Sequence, residues 1–160
     1  MTKTTTKRTP RAKTPAALSK VGLAVMVAGM TAAQFDTQTL SDAGVACPIN
    51  NPRTGMPSGV EVIVHGMHSK RFRVALAEQA RQVMAIRELN GDKDLTDDET
   101  FEQTLSLLAA CTSAFVNLFD AEGNPQAYSL EFAKEFYRKS PLARREVDVF
   151  LANHTNFLLA

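Results

Sequence analysis

Few residues of this chain are spaced for chemistry. His65-Gly-Met-His68 puts two imidazoles within reach of one metal ion, and His154 stands far away near the carboxyl end. A tetrahedral site needs more ligands than that, and no nearby cysteine or acid completes the set. Cys47 and Cys111 are too sparse a pair for a disulfide framework. They are expected as buried free thiols, with one bridge in an exported protein as the alternative; Cys111 falls at the apolar end of a helix, where a thiol is inert and makes no nucleophile with a distant histidine. The acidic stretch from Asp92 to Asp98 resembles the start of a calcium loop. With Asp92 at position one, Asp94 fits position three and Thr96 is tolerable at five. Asp97 then stands where glycine is required and Gln103 where a bidentate glutamate is required, so the match fails. No Gly-x-Ser-x-Gly elbow and no glycine-rich phosphate loop occurs. The sequence therefore predicts no catalytic residue, no metal site and no cofactor, and the expectation is a protein that is not an enzyme.

Without an active site, function has to come from surfaces and from the elements that present them. A length of 160 residues suits one modest domain, able to bury about two thirds of its unfolded surface without a metal or disulfide. The apolar fraction of 44% and charged fraction of 22% are those of a globular chain. The formal charge of +1 conceals a division. Residues 1–20 hold Lys3, Lys7, Arg8, Arg11, Lys13 and Lys20 and no acid, whereas from Val21 onward 12 basic and 17 acidic residues give −5.

Residues 1–15, rich in Thr, Lys, Arg and Pro, bury too little to offset their ordering entropy and are expected to be disordered. No aromatic is interleaved with the basic residues to stack on bases, so no specific nucleic acid is expected. The run Val21-Gly-Leu-Ala-Val-Met-Val-Ala-Gly-Met, followed by Thr31-Ala-Ala, has the outline of a secretory signal but is too short to span a bilayer as a helix. Three readings stay open for the leader: a true extension, a signal, or a start at Met26 or Met30. No membrane partner is expected.

Gly44 to His65 reads as a β-hairpin turning at Asn50-Asn-Pro-Arg-Thr-Gly, with Pro48 placing its first strand at a sheet edge. Ser69 opens a helix of about twenty residues that ends at Asn90-Gly91. Its apolar stripe is expected to be Phe72, Leu76, Ala80 and Val83. Lys70, Arg71, Arg73, Arg81 and Arg87 fall on or beside the polar face, a solvated face by default and a docking surface for an acidic partner as the alternative. Thr96 with Glu99 forms a capping box for a second helix, whose buried residues should be Phe101, Leu105, Leu108, Ala109 and Cys111. Ser113 to Phe119 alternates as a strand, and Asp120 to Pro125 is a turn. Ser129 caps a helix with Phe132, Ala133, Phe136 and Tyr137 on one face. Pro141 opens a last helix striped by Ala143, Val147, Phe150, Leu151 and Leu158. The fold class is α+β: a mainly helical single domain over residues 36–160 with a small β-hairpin or antiparallel sheet, behind a basic flexible extension over residues 1–35.

Three stretches carry a family resemblance: Asp36-Thr-Gln-Thr-Leu-Ser-Asp-Ala-Gly-Val; the turn Pro52-Arg-Thr-Gly with Gly59-Val-Glu-Val; and Phe136-Tyr-Arg-Lys-Ser-Pro through Val147-Asp-Val-Phe-Leu-Ala-Asn. In order and spacing they resemble the tail assembly chaperones of long-tailed bacteriophages. The chain departs from that pattern in its basic leader and in Phe115, where a tryptophan would be more usual. The resemblance implies a non-enzymatic protein of the host cell cytoplasm. Its partners would be the tape measure protein, which it keeps soluble, and the tail tube protein, whose polymerisation it promotes; self-association is also open. An apolar contact face for such partners is expected at Phe132, Phe136, Tyr137, Phe150, Leu151, Phe157, Leu158 and Leu159. The alternatives are a structural virion protein of the minor tail or connector, and an exported bacterial protein with an amino-terminal signal.

Overall fold

Asn51 to Gly55 reverses the chain and sets the sheet. The Asn51 N–H donates to the Met56 carbonyl at 2.8 Å, its carbonyl accepts from Gly55 N–H at 2.8 Å, and Gly55 takes φ +69°, a conformation glycine adopts without a Cβ clash. The flanking strands are β1 (Val45–Asn50) and β2 (Pro57–Val64). The computed structural model describes Thr31, residues 35–91 and residues 93–158. The leader, its apolar run and Leu159 fall outside the described residues, as do the expectations placed on them. Thr31–Ala160 forms one unit.

The strand β3 (Thr112–Val116) pairs antiparallel with β2, so the sheet runs β1-β2-β3 with β2 in the middle. Register places Cys47, Val62 and Phe115 in one row across it. Val62, Val64, Cys47 and Ile49 are buried on a shared face, as period-two alternation requires. Pro48 lies on the edge strand β1, as expected. β3 is shorter than the alternation implied. It stops at Val116 because Asn117 turns to φ +57°, and Phe119 then forms only an isolated bridge with Pro125 and is exposed.

Helices cover the sheet's buried face. α1 (Gln38–Ala43) was not anticipated, although Asp36 Oδ1 accepts the Gln38 and Thr39 N–H groups at 3.0 Å in an ordinary capping role. α2 (Lys70–Leu89) is capped by Ser69, and α3 (Asp97–Cys111) has the complete Thr96/Glu99 capping box. α4 (Leu130–Lys139) begins on Ser129, α5 (Pro141–Ala152) begins on Pro141, and a 3-10 turn closes the chain at His154–Phe157. The core gathers Leu105, Leu108, Ala109 and Cys111 of α3, Ala133 and Tyr137 of α4, Ala143, Val147 and Leu151 of α5, and Phe157. The architecture is thus α+β, mainly helical, with a three-stranded antiparallel sheet.

α2 differs from the other long helices in having no buried residue over its 20 positions. It packs on α3, and its half-buried row is Phe72, Ala75, Gln79, Val83 and Ile86. That row corrects the expected stripe: Leu76 and Ala80 lie in solvent. The two rows share Phe72 and Val83 and differ by about a sixth of a turn around the helix, and the position of α3 selects between them.

Candidate functional site

The carboxy-terminal aromatic residues are placed first of all by one another. Phe115 meets Phe132 and Phe136 edge-on at 5.2 Å each, Phe136 meets Tyr137 at 5.5 Å, and Phe150 meets Phe157 at 5.8 Å. Edge-on contacts at such separations are favourable beyond the area they bury. Tyr137 and Phe157 are sealed, at 0% and 1% exposure, and Leu151 is buried. The Tyr137 hydroxyl lies 2.6 Å from Thr112 Oγ1, which in turn donates to the Leu108 carbonyl. Burial pushes the Tyr137 phenol well above its ordinary pKa. Tyr137, Leu151 and Phe157 therefore hold the fold and offer no contact face, which corrects the expectation for those three residues. Phe132, Phe136, Phe150 and Leu158 are half-buried, each showing an edge to solvent.

The residues weighed as candidates for chemistry are placed as follows. Cys47 and Cys111 are free and buried, and burial pushes both thiols up to about 12, so they stay protonated at neutral pH. His65 is half-buried with Nδ1 at 3.1 Å from the Asp42 carbonyl, and its pKa is lowered chiefly by burial and then by Arg71. His68 is exposed, and among the described residues no three His, Cys, Asp or Glu side chains converge as a metal site would require.

Sequence reasoning missed the way Arg71 closes the end of α3. The last four carbonyls of an α-helix lack partners within it. Here the Leu108 carbonyl accepts from Thr112, and that of Ala109 accepts from the Tyr128 hydroxyl at 3.0 Å. Ala110 accepts from Arg71 Nε, and Cys111 accepts from His65 N–H at 2.8 Å. Arg71 also donates to the Thr112 carbonyl at 2.6 Å, and its guanidinium lies 5.5 Å from the Tyr128 ring centre. α3 has no basic residue in its own last turn, so a cation from α2 meets the negative end of its dipole. Nothing local in the sequence ties residue 71 to residues 110 and 112.

Beside Arg71 a groove of about 910 Å³ runs between α2 and the α3–α4 side, with Val74, Ala75, Leu107, Ala110, Tyr128 and Leu130 among its lining residues. Lys70, Lys134, Asp42 and Glu78 stand around it. Three of these charges are already engaged: Asp42 Oδ1 accepts the Lys70 N–H at the start of α2, Glu78 pairs with Arg81 at 2.7 Å, and Lys134 pairs with Glu102 at 3.8 Å.

α2 also exposes four large apolar side chains, Val74 at 61%, Leu76 at 47%, Met84 at 66% and Leu89 at 87%, more than any other helix among the described residues. Scattered single apolar residues are normal on a surface; of these four only Leu76 and Met84 share a side of the helix, while Val74 lines the groove and Leu89 stands at the end of α2. What the arrangement can do is bind an apolar-sided polypeptide along α2 and its groove. Comparison with models of known protein families, with curated proteins and with solved structures finds no match to this chain.

Proposed function

We propose that the chain is a tail assembly chaperone of a long-tailed bacteriophage, acting in the host cell cytoplasm on the tape measure protein and aiding tail tube assembly around it. The reading combines the sequence resemblance with one structural observation: α2 is a 20-residue helix without a buried residue, with Val74, Leu76, Met84 and Leu89 in water. A tape measure protein is a long helical polypeptide whose apolar stripes aggregate until the tube encloses them. Laying such a stripe against another amphipathic helix removes it from water at little cost in shape, because both surfaces share the same ridge spacing. The role needs no catalysis. It needs a rigid body, supplied by the sheet with α3, α4 and α5, and a wetted helix, supplied by α2.

Co-expression with the long helical protein encoded beside it in a tail gene cluster tests the proposal. The tape measure protein should move from the pellet to the soluble fraction when this chain is present and co-purify with it. A tape measure protein that stays in the pellet at every expression ratio would rule the reading out.

A further inference from the structure

One line along α2 is built for more than apolar contact. Arg73, Leu76, Ala80, Met84 and Arg87 follow one another at spacings of three or four residues, so they share a single strip of the helix. All five are exposed. The strip lies about a quarter turn from the row that meets α3. Ala80 at its centre is small enough for a second backbone to approach closely. Arg73 pairs with no carboxylate among the described residues, and Arg87 pairs at 2.9 Å with Asp94, whose side chain is 95% exposed and readily exchanged for another acid.

The charge of α2 opposes that of the unit it stands on. It carries Lys70, Arg71, Arg73, Arg81 and Arg87 against Glu78 and Glu88, which is 5 − 2 = +3. The rest of residues 31–160 has 7 basic and 15 acidic residues, which is −8. A cationic helix with an apolar strip bracketed by arginines discriminates between partner helices by the charges beside their apolar stripe.

We infer that the α2 strip Arg73–Leu76–Ala80–Met84–Arg87 docks an amphipathic helix whose apolar stripe is flanked by acidic residues, and rejects one flanked by lysines. The inference rests on the helix-binding reading above and adds the chemistry of the partner. Leu76 and Met84 supply the apolar seat, and Arg73 and Arg87 meet the carboxylates at its two ends.

Two synthetic helical peptides of about 18 residues test this, long enough to cover the strip at 1.5 Å per residue. They share one leucine stripe and differ only in carrying Glu or Lys beside it. Binding to the full chain is measured by fluorescence anisotropy in low and high salt. The Glu peptide should bind about tenfold tighter, the equivalent of two exposed charge pairs, and salt should shrink the gap. Leu76→Ser with Met84→Ser should abolish binding of both peptides, and Arg73→Glu should erase the preference. Both variants alter exposed positions, and circular dichroism checks their folding. Equal binding of the two peptides overturns the inference while leaving the co-expression result standing. Binding unaffected by the α2 variants overturns it too, by placing the site elsewhere. A dimer in light scattering that blocks both peptides and is split by Leu76→Ser with Met84→Ser would mean that a second copy occupies the strip, and would also overturn it. Binding of neither peptide to a monomer does the same.

Discussion

Arg71 concentrates more of the fold than any other exposed-helix residue. It binds two carbonyls at the end of α3 and the Tyr128 hydroxyl, joining α2, α3 and the segment before α4. Lysine keeps the charge but offers a compact point donor that cannot span carbonyls at 110 and 112 as the planar fork does. Arg71→Lys should therefore lower unfolding stability by about 1–3 kcal/mol, the scale of lost hydrogen bonds from a charged donor, read from the midpoint of urea denaturation with an unchanged slope. The buried thiols make a second residue-level prediction. Cys47 and Cys111 are raised from 9.0 to about 12 by burial, so the folded chain holds their protons more tightly than the unfolded chain. Their contribution is complete below about pH 9, and it drains away between about 9 and 12 as the unfolded chain ionises first. Stability should fall with rising pH there, by up to about 1.4 kcal/mol per pH unit for each thiol. Urea titrations at several alkaline pH values check this, and Cys111→Ala should make the fall shallower by the share of one thiol.

Among the elements, α2 and α5 stand at opposite extremes. α5 buries Ala143, Val147 and Leu151, and its Glu146 carboxylate accepts both the backbone N–H and the side-chain amide of Asn50 at the end of β1. That contact and Pro48 remove donors from the outer edge of β1, which discourages another strand from adding there. α2 has only its half-buried row against α3, a cap at each end, and Arg71. Opening free energy tracks buried contact, so central amides of α2 should exchange with solvent at least roughly tenfold faster than those of α5. Hydrogen exchange with peptide-level mass readout decides it. Equal protection would show that α2 unfolds only with the whole unit. A helix that is loosely held and wet on two flanks is also the one best able to re-pack around a partner.

At the scale of the whole molecule, the parts that hold the core are distinct from the helix proposed to meet a partner. The sheet, α3, α4 and α5 build the core, and the aromatic residues of the last third close it. α2 carries a positive charge and exposed apolar side chains over an otherwise acidic surface. A chaperone of the proposed kind leaves once the tube subunits have replaced it on the tape measure protein. Mass spectrometry of purified mature particles should therefore find the tube and tape measure proteins without this chain. Its presence at a fixed stoichiometry would instead mark a structural component of the tail.

Local chemistry made most of the elements legible. Ser69, Thr96 with Glu99, Ser129 and Pro141 start their helices because capping and φ preference act over three or four residues. The hairpin followed from Gly55 and the alternating β2, for the same reason of short range. α1 escaped because its six residues carry little periodicity and its N-cap, Thr37, makes no side-chain cap bond, Asp36 one position earlier accepting instead. What the sequence alone determined, then, was the order and kind of the main elements from β1 onward together with the division of charge. The tertiary structure alone decided which faces are wet. Leu76 and Ala80 lie in solvent, and Ala75 and Gln79 face α3, because α3 packs along one side of α2. Tyr137, Leu151 and Phe157 are interior because they join one core with residues of the sheet, α3, α4 and α5 that are distant in the chain. A helical period fixes which residues share a face, but burial is a property of neighbours distant in the chain, and no local pattern encodes it.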